Sequence, residues 1–175
     1  GFVGLPSAGK SSLLKVLTAA HPKVGSYPFT TVIPNLGVVH YYDRDIVLAD
    51  LPGLIEGAAE GAGLGHRFLK HVQRTSALVY VIDGSKGEPD ADVLVLEKEL
   101  RSYATELHDR PRLLLVNKVD LIQNDRREEV RRRLLELDGS GSIHFVSAAT
   151  REGIEELKAL LFALAAVPTD TEEEW

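Results

Sequence analysis

The chain contains no cysteine and no methionine. The first absence excludes disulfides and thiolate metal sites as means of holding a fold, and it is compatible with a reducing compartment such as the cytoplasm. Apolar runs fall short of the roughly 18 residues that a membrane-spanning helix needs, so no span is expected. Basic residues are in the minority, 20 against 26 acidic, for a formal charge of -6. A large basic nucleic-acid face is therefore not supported, and no DNA partner is expected. Internal repeats and low-complexity tracts are also lacking.

What remains is a chain of 175 residues, 44% of them apolar, which suits one domain with its own core. Only Phe2 and Val3 precede the first glycine loop, fewer than a buried strand usually has. The reading is therefore of an excised or processed piece of a longer protein. Residues 1–168 form the domain with its first strand cut short, and the acidic segment 169–175 starts a linker toward a further domain.

Hydrophobic periodicity orders the elements. A helix follows Gly9, with Leu13, Leu14 and Leu17 as its apolar stripe up to Ala20. Residues 21–34 carry three prolines and read as a loop. Leu36 to Tyr42 and Ile46 to Ala49 flank Asp43-Arg44 as a hairpin. Residues 52–65 carry five glycines and read as a mobile polar loop. His66 to Arg74 is expected as helix, Ala77 to Ile82 as a buried strand, and Asp92 to Leu107 as helix. Leu113 to Val116 is a strand, Glu128 to Leu137 a helix, Ile143 to Val146 a strand, and Ile154 to Ala166 the closing helix. This alternation predicts an α/β fold: a mostly parallel six-stranded sheet covered by helices on both faces, with ligands bound at the carboxyl ends of the strands.

Residues 4–12 read GLPSAGKSS, which meets the pattern G-x-x-x-x-G-K-[ST] at Gly4, Gly9, Lys10 and Ser11. It follows strand residues and opens a helix, the context this phosphate-binding motif requires. Gly9 lets the backbone curl so that several N–H groups point inward, and the helix start adds partial positive charge. Lys10 reaches the outer phosphates, and Ser11 offers a hydroxyl to Mg²⁺.

Asn117-Lys118-Val119-Asp120 follows the apolar run LLLV directly. The Asp120 carboxylate can accept hydrogen bonds from N1–H and the exocyclic amine of guanine, whereas adenine leaves it unpaired, which is how a polar site rejects the wrong base. Asn117 can tie this loop to the phosphate loop, and the stem of Lys118 can cover the base plane. Ser147, Ala148 and Ala149 follow the next strand, and their small size lets a backbone N–H approach the guanine carbonyl. Asp50 follows Ile46 to Ala49 and suits the Mg²⁺ shell, while the Gly53 amide can sense the outermost phosphate. Thr30 or Thr31 can close on Mg²⁺ from the earlier loop. The six histidines, 21, 40, 66, 71, 108 and 144, show no metal-ligand spacing. Of these, only His66 is considered as a catalytic candidate, and a surface position is the plainer reading.

On these residues the chain resembles the GTPase domain of the Obg family, bacterial GTPases of ribosome assembly. The distinctive stretches are GLPSAGKSSLL, HPKVGSYPFTTVIPNLGVV and LADLPGLIEGAAEGAGLGHRFLKHVQRT, and the similarity covers nearly the whole chain. The resemblance implies a Ras-like G domain of the P-loop class. Lys10, Thr31 and Gly53 are then the catalytic set, with Thr31 the switch threonine on Mg²⁺ beside Ser11 and Asp50, and residues 53–65 belong to switch II. It extends the nucleotide contacts to Pro6, Ser7, Ala8 and Ser12 on the phosphate loop, to Phe29 beside Thr30, and to Leu121 after Asp120.

The family further implies a glycine-rich domain before this one, a variable domain after it, association with the large ribosomal subunit and, in some bacteria, a link to the stringent response. The isolated domain is expected to be monomeric. Two departures stand out. Leu54 occupies the position where many GTPases place a water-orienting Gln, in keeping with the family's hydrophobic substitution. Ser7 stands where relatives often carry an Asn that helps hold K⁺, which weakens the expectation of K⁺-stimulated hydrolysis. The leading expectation is a slow, Mg²⁺-dependent GTP-hydrolysing switch. The alternatives are an ATP-using enzyme, against which Asp120 argues, and a guanine-nucleotide-dependent binding module with negligible turnover.

Overall fold

A computed structural model of the chain describes residues 1–18, 35–51, 74–103, 110–138 and 142–166. Six strands form one sheet: β1 Phe2–Val3, β2 Asn35–Tyr41, β3 Arg44–Asp50, β4 Leu78–Asp83, β5 Arg112–Asn117 and β6 Ile143–Phe145, in the order β2-β3-β1-β4-β5-β6. Among the described strands only the β2–β3 pair is antiparallel; β1, β3, β4, β5 and β6 run parallel. The described helices are α1 Lys10–Leu17, α2 Pro89–Tyr103, α3 Asn124–Asp138 and α4 Ile154–Ala165, with a short 3₁₀ turn at Val119–Leu121.

Burial on both faces explains why β4 and β5 are unbroken apolar runs. Along β4, Val79 and Val81 join the core beneath α1 and α4, with Leu13, Leu17, Leu157 and Leu161. The alternate residues Leu78, Tyr80 and Ile82 join the core beneath α2 and α3, with Val93, Leu96, Leu100 and Leu134. The period of two along a strand distributes one sequence run between two cores.

Expected and observed elements agree in order and type, but α2 begins three residues before the expected Asp92 and α3 four residues before the expected Glu128. The hairpin turns at Tyr42 and Asp43 rather than Asp43 and Arg44, because Tyr41 pairs with Arg44 across the ladder and Tyr42 takes φ 53°. The Tyr41 ring lies 5.3 Å from that of Phe162, which fastens the hairpin to α4. The helix expected over 66–74 falls almost wholly outside the described residues, as do the ends of the first and third expected helices.

At the amino-terminal side of β5, Arg112 joins both neighbouring helices. It donates to Glu97 on α2 at 2.8 Å and to Asp138 on α3, whose side chain is 2% exposed. Hydrogen bonds and attraction to Asp138 and Glu97 raise the guanidinium pKa against the opposing pull of burial.

The carboxyl ends of β1, β3, β4 and β5 meet where the chain order reverses around β1. Such a reversal opens the crevice in which parallel α/β sheets bind ligands. It brings together residues 4–12, Asp50, Asp83 and Asn117.

Candidate nucleotide site

The loop after β1 is shaped by two glycines. Gly9 caps α1 with φ 100°, a conformation strained for any residue with a side chain. Gly4 passes so close to β4 that a Cβ there would lie 2.5 Å from the Val81 carbonyl oxygen. Ser7 also takes a left-handed φ, 65°, so the loop folds over itself ahead of the helix. Pro6, Ser7, Ser11 and Ser12 are exposed, and Ala8 is buried. Lys10 bends back across the loop, donating from Nζ to the Gly4 carbonyl at 2.9 Å. An ammonium beside a helix N-terminus is an anion-binding arrangement.

Ser11 Oγ donates to Asp50 Oδ2 at 2.5 Å, joining the start of α1 to the end of β3. Asp50 is 3% exposed, yet its Oδ1 has no hydrogen-bond partner among the described residues. A buried carboxylate oxygen without a partner is costly in protein alone. Its pairing with a hydroxyl fits the all-oxygen donor set of Mg²⁺, which retains several waters and draws few protein ligands. Among the described residues no cluster of three His, Cys, Asp or Glu could hold a metal by itself. His40 contacts exposed Asp45, and His144 Nε2 bonds the Gly153 carbonyl oxygen at 2.9 Å.

Asn117 is 2% exposed and joins three segments. Its Nδ2 donates to the Ala8 carbonyl at 2.9 Å, and its Oδ1 accepts from the Ala148 N–H at 3.1 Å. Asp120 is exposed, with Oδ1 accepting from Ser147 Oγ at 2.5 Å. Ser147 also accepts from the Thr150 N–H at 3.0 Å. The sequence suggested only that Ser147 is small; in the fold its hydroxyl orients the carboxylate. Ala149 and Leu121 are exposed beside these groups.

Three contributors escaped the sequence reading. Arg127 on α3 donates to the Val119 carbonyl at 2.9 Å and pairs with Glu152 at 2.5 Å, clasping the loops after β5 and β6. Its pKa is raised chiefly by that hydrogen bond to Glu152. Asp83, closing β4 as Asp50 closes β3, accepts from Lys118. The only sequence signal for Asp83 was its place after an apolar strand. Phe29, Thr30, Thr31, Gly53, Leu54 and His66 lie outside the described residues.

With this geometry in hand, comparison with known proteins is specific. A profile of the 50S ribosome-binding GTPase family matches residues 1–118. The GTPase Obg of Synechococcus sp. (strain CC9311) is 49% identical over 158 residues, covering 90% of this chain and 48% of that protein. The GTPase Obg of Acaryochloris marina (strain MBIC 11017) is 45% identical over 175 residues, covering 99% of this chain and 50% of that protein. The chain thus spans about half the length of the curated relatives it matches. Among solved structures, the G domain of the T. maritima FeoB iron transporter superposes with a TM-score of 0.69 at 25% identity, covering 94% of this chain and 96% of that one. The chain belongs to the 50S ribosome-binding GTPase family and is a GTPase domain of the Obg type.

Proposed function

We propose that residues 1–168 bind Mg²⁺–GTP and hydrolyse it with water to GDP and phosphate, as a slow nucleotide-controlled switch in assembly of the large ribosomal subunit. The observation that carries this reading is Asn117, whose amide links the phosphate loop to both base-reading segments through Ala8 and Ala148. A phosphate cradle and a guanine-reading carboxylate are thereby held in one rigid unit.

Binding rests on the backbone N–H groups at the start of α1 and on Lys10, whose ammonium moves from the Gly4 carbonyl to the outer phosphates. Ser11 and Asp50 would hold Mg²⁺, which would supply neutralisation of charge on those phosphates. Pro6, Ser7, Ala8 and Ser12 line the phosphates. Asp120, steadied by Ser147, takes N1–H and the amine of guanine, with Leu121 and Ala149 at its edge and the Ala148 N–H near its carbonyl. Catalysis by these groups is positioning and charge stabilisation rather than covalent chemistry. By the family resemblance, Phe29 and Thr30 would contact the nucleotide, Thr31 would reach it through Mg²⁺, and Gly53 would sense the third phosphate and release when it leaves.

The large ribosomal subunit is the proposed partner and the cytoplasm the proposed location, with the domain monomeric and 169–175 a linker. The partner rests on the 50S ribosome-binding family whose model matches residues 1–118, and the location on the resemblance to the Obg family. No described helix is long and apolar enough to cross a membrane. Leu54 favours one second reading, a guanine-dependent binding module with negligible turnover, since it cannot orient water. GTP and ATP binding titrations, followed by GTP turnover with and without large subunits, test the proposal. Equal affinity for both nucleotides would sink it, and tight GTP binding without hydrolysis in either condition would favour the second reading.

A further inference from the structure

Beside the segments already described, the carboxyl end of β4 holds a charged pair. Asp83 is the last residue of β4, is 4% exposed, and lies level with Asn117 in the parallel register. Lys118 Nζ donates to its Oδ2 at 2.6 Å. Ser85 donates to its Oδ1 twice, from the backbone N–H at 3.0 Å and from Oγ at 2.6 Å. The Gly84 N–H bonds the Asn117 carbonyl at 2.8 Å, so the turn after β4 is fastened to the residue before Lys118.

Burial pushes the Asp83 carboxyl up, but hydrogen bonds from Lys118 and Ser85 more than offset this and hold it below the usual carboxylate range. The pair is thus ionised and anchored on the acid side. Lys118 itself takes φ 66°, a left-handed conformation that persists only where its surroundings enforce it.

The β4–β5 ladder already joins these strands over six residue pairs, from Leu78 and Arg112 to Asp83 and Asn117. The ion pair is not needed to hold them. Its distinct effect is on the Lys118 side chain, which begins beside Asn117 and ends at the tip of β4. Its stem therefore runs along the carboxyl edge of the sheet, and the side chain is 31% exposed. A free lysine would lose several rotamers on packing against a ring, whereas this one has already lost them.

We propose that Asp83 is a positioning residue for purine binding: it holds Lys118 extended so that the lysine stem is a preformed apolar face for the base. The inference rests on the guanine-nucleotide reading above. A face packs on any purine ring, so Asp83 contributes affinity without distinguishing the 2-amino group, which is left to Asp120.

GDP and IDP, which lacks that amine, are titrated against the wild type, Asp83→Asn, Lys118→Met and the double variant. Asn keeps the shape of Asp and an acceptor for Ser85. The expected result is about a tenfold weaker GDP affinity in Asp83→Asn, the same factor for IDP, and no further loss when Asp83→Asn is added to Lys118→Met. Unchanged affinity in Asp83→Asn overturns the inference. So does an equal loss in both lysine backgrounds, or a larger loss for GDP than for IDP, since either marks a general disturbance of the loop. Should Asp83→Asn not fold, Ser85→Ala carries the same coupling test with the carboxylate retained. ADP is the control: if the wild type does not prefer GDP to ADP, the guanine reading itself fails, and that failure is separate from the result for Asp83.

Discussion

Asn117 and Ala8 lie 109 residues apart in sequence, and the Asn117 side chain donates to the Ala8 carbonyl at 2.9 Å. The contact is so close that a Cβ on the neighbouring Gly9 would stand 2.2 Å from the same nitrogen. Asn117→Ala removes this bond and the one from Ala148, leaving a buried carbonyl and a half-buried N–H without these partners. Stability without nucleotide should fall by about 2 kcal/mol in urea unfolding. GDP affinity should fall more than tenfold, by about 1.4 kcal/mol or more. Unchanged GDP affinity would remove Asn117 from the site.

Base choice should follow Asp120. Asp120→Asn replaces one acceptor with a donor, which suits xanthine, whose ring carbonyl stands where guanine has its amine. Competition titrations should show the variant preferring XDP to GDP, and the wild type preferring GDP to ADP by about 3 kcal/mol or more. Equal affinities for GDP and XDP in the variant would count against the assignment.

The metal should depend on the Ser11–Asp50 pair. Ser11→Ala and Asp50→Asn should each raise the Mg²⁺ concentration needed for tight GTP binding, read from titrations at stepped Mg²⁺. Lys10→Ala should weaken GTP at every Mg²⁺ concentration. Thermal melts of Ser11→Ala and Lys10→Ala without nucleotide should stay near wild type. An unchanged Mg²⁺ requirement in both Ser11→Ala and Asp50→Asn would refute the placement.

Acid stability offers an independent measure of Asp83. Its folded pKa is depressed, so its contribution is fully present above the unfolded value of about 4 and is lost as pH falls through the folded value. Asp92 acts in the opposite sense, since burial raises its pKa and favours the protonated native form. Comparison with Asp83→Asn isolates the first group. In urea unfolding the wild type should exceed the variant at about pH 7, and the gap should narrow at about pH 3. A gap independent of pH would mean that the carboxylate charge does not stabilise the fold.

Switching should involve Thr31 and Gly53. Hydrogen exchange should show their segments protected by a non-hydrolysable GTP analogue relative to GDP, and identical exchange would remove the switch from the proposal. Single-turnover hydrolysis by Leu54→Ala and His66→Ala should stay within about tenfold of wild type, or roughly 1.4 kcal/mol. A hundredfold loss in His66→Ala with unchanged GTP affinity would make His66 catalytic.

The sequence by itself determined where the glycine loop 4–12 and the tetrad 117–120 lie, each at the end of a strand, and nearly every described strand and helix. Each of these depends on local spacing: a glycine, lysine and serine at a strand–helix junction, or an apolar run ending in Asn117. Turn position was less legible, because the apolar pattern around Tyr41 and Tyr42 does not separate a pairing from its neighbour by one residue. Packing of Tyr41 on Phe162 accompanies the observed register. Only the tertiary structure decided the supports of the site. Asp83 and Lys118 are 35 residues apart, Ser147 and Asp120 are 27 apart, and Arg127 and Glu152 are 25 apart. Common charged and hydroxyl residues at such separations carry no local signature, and they become partners only when a parallel sheet brings the carboxyl ends of successive strands to one edge.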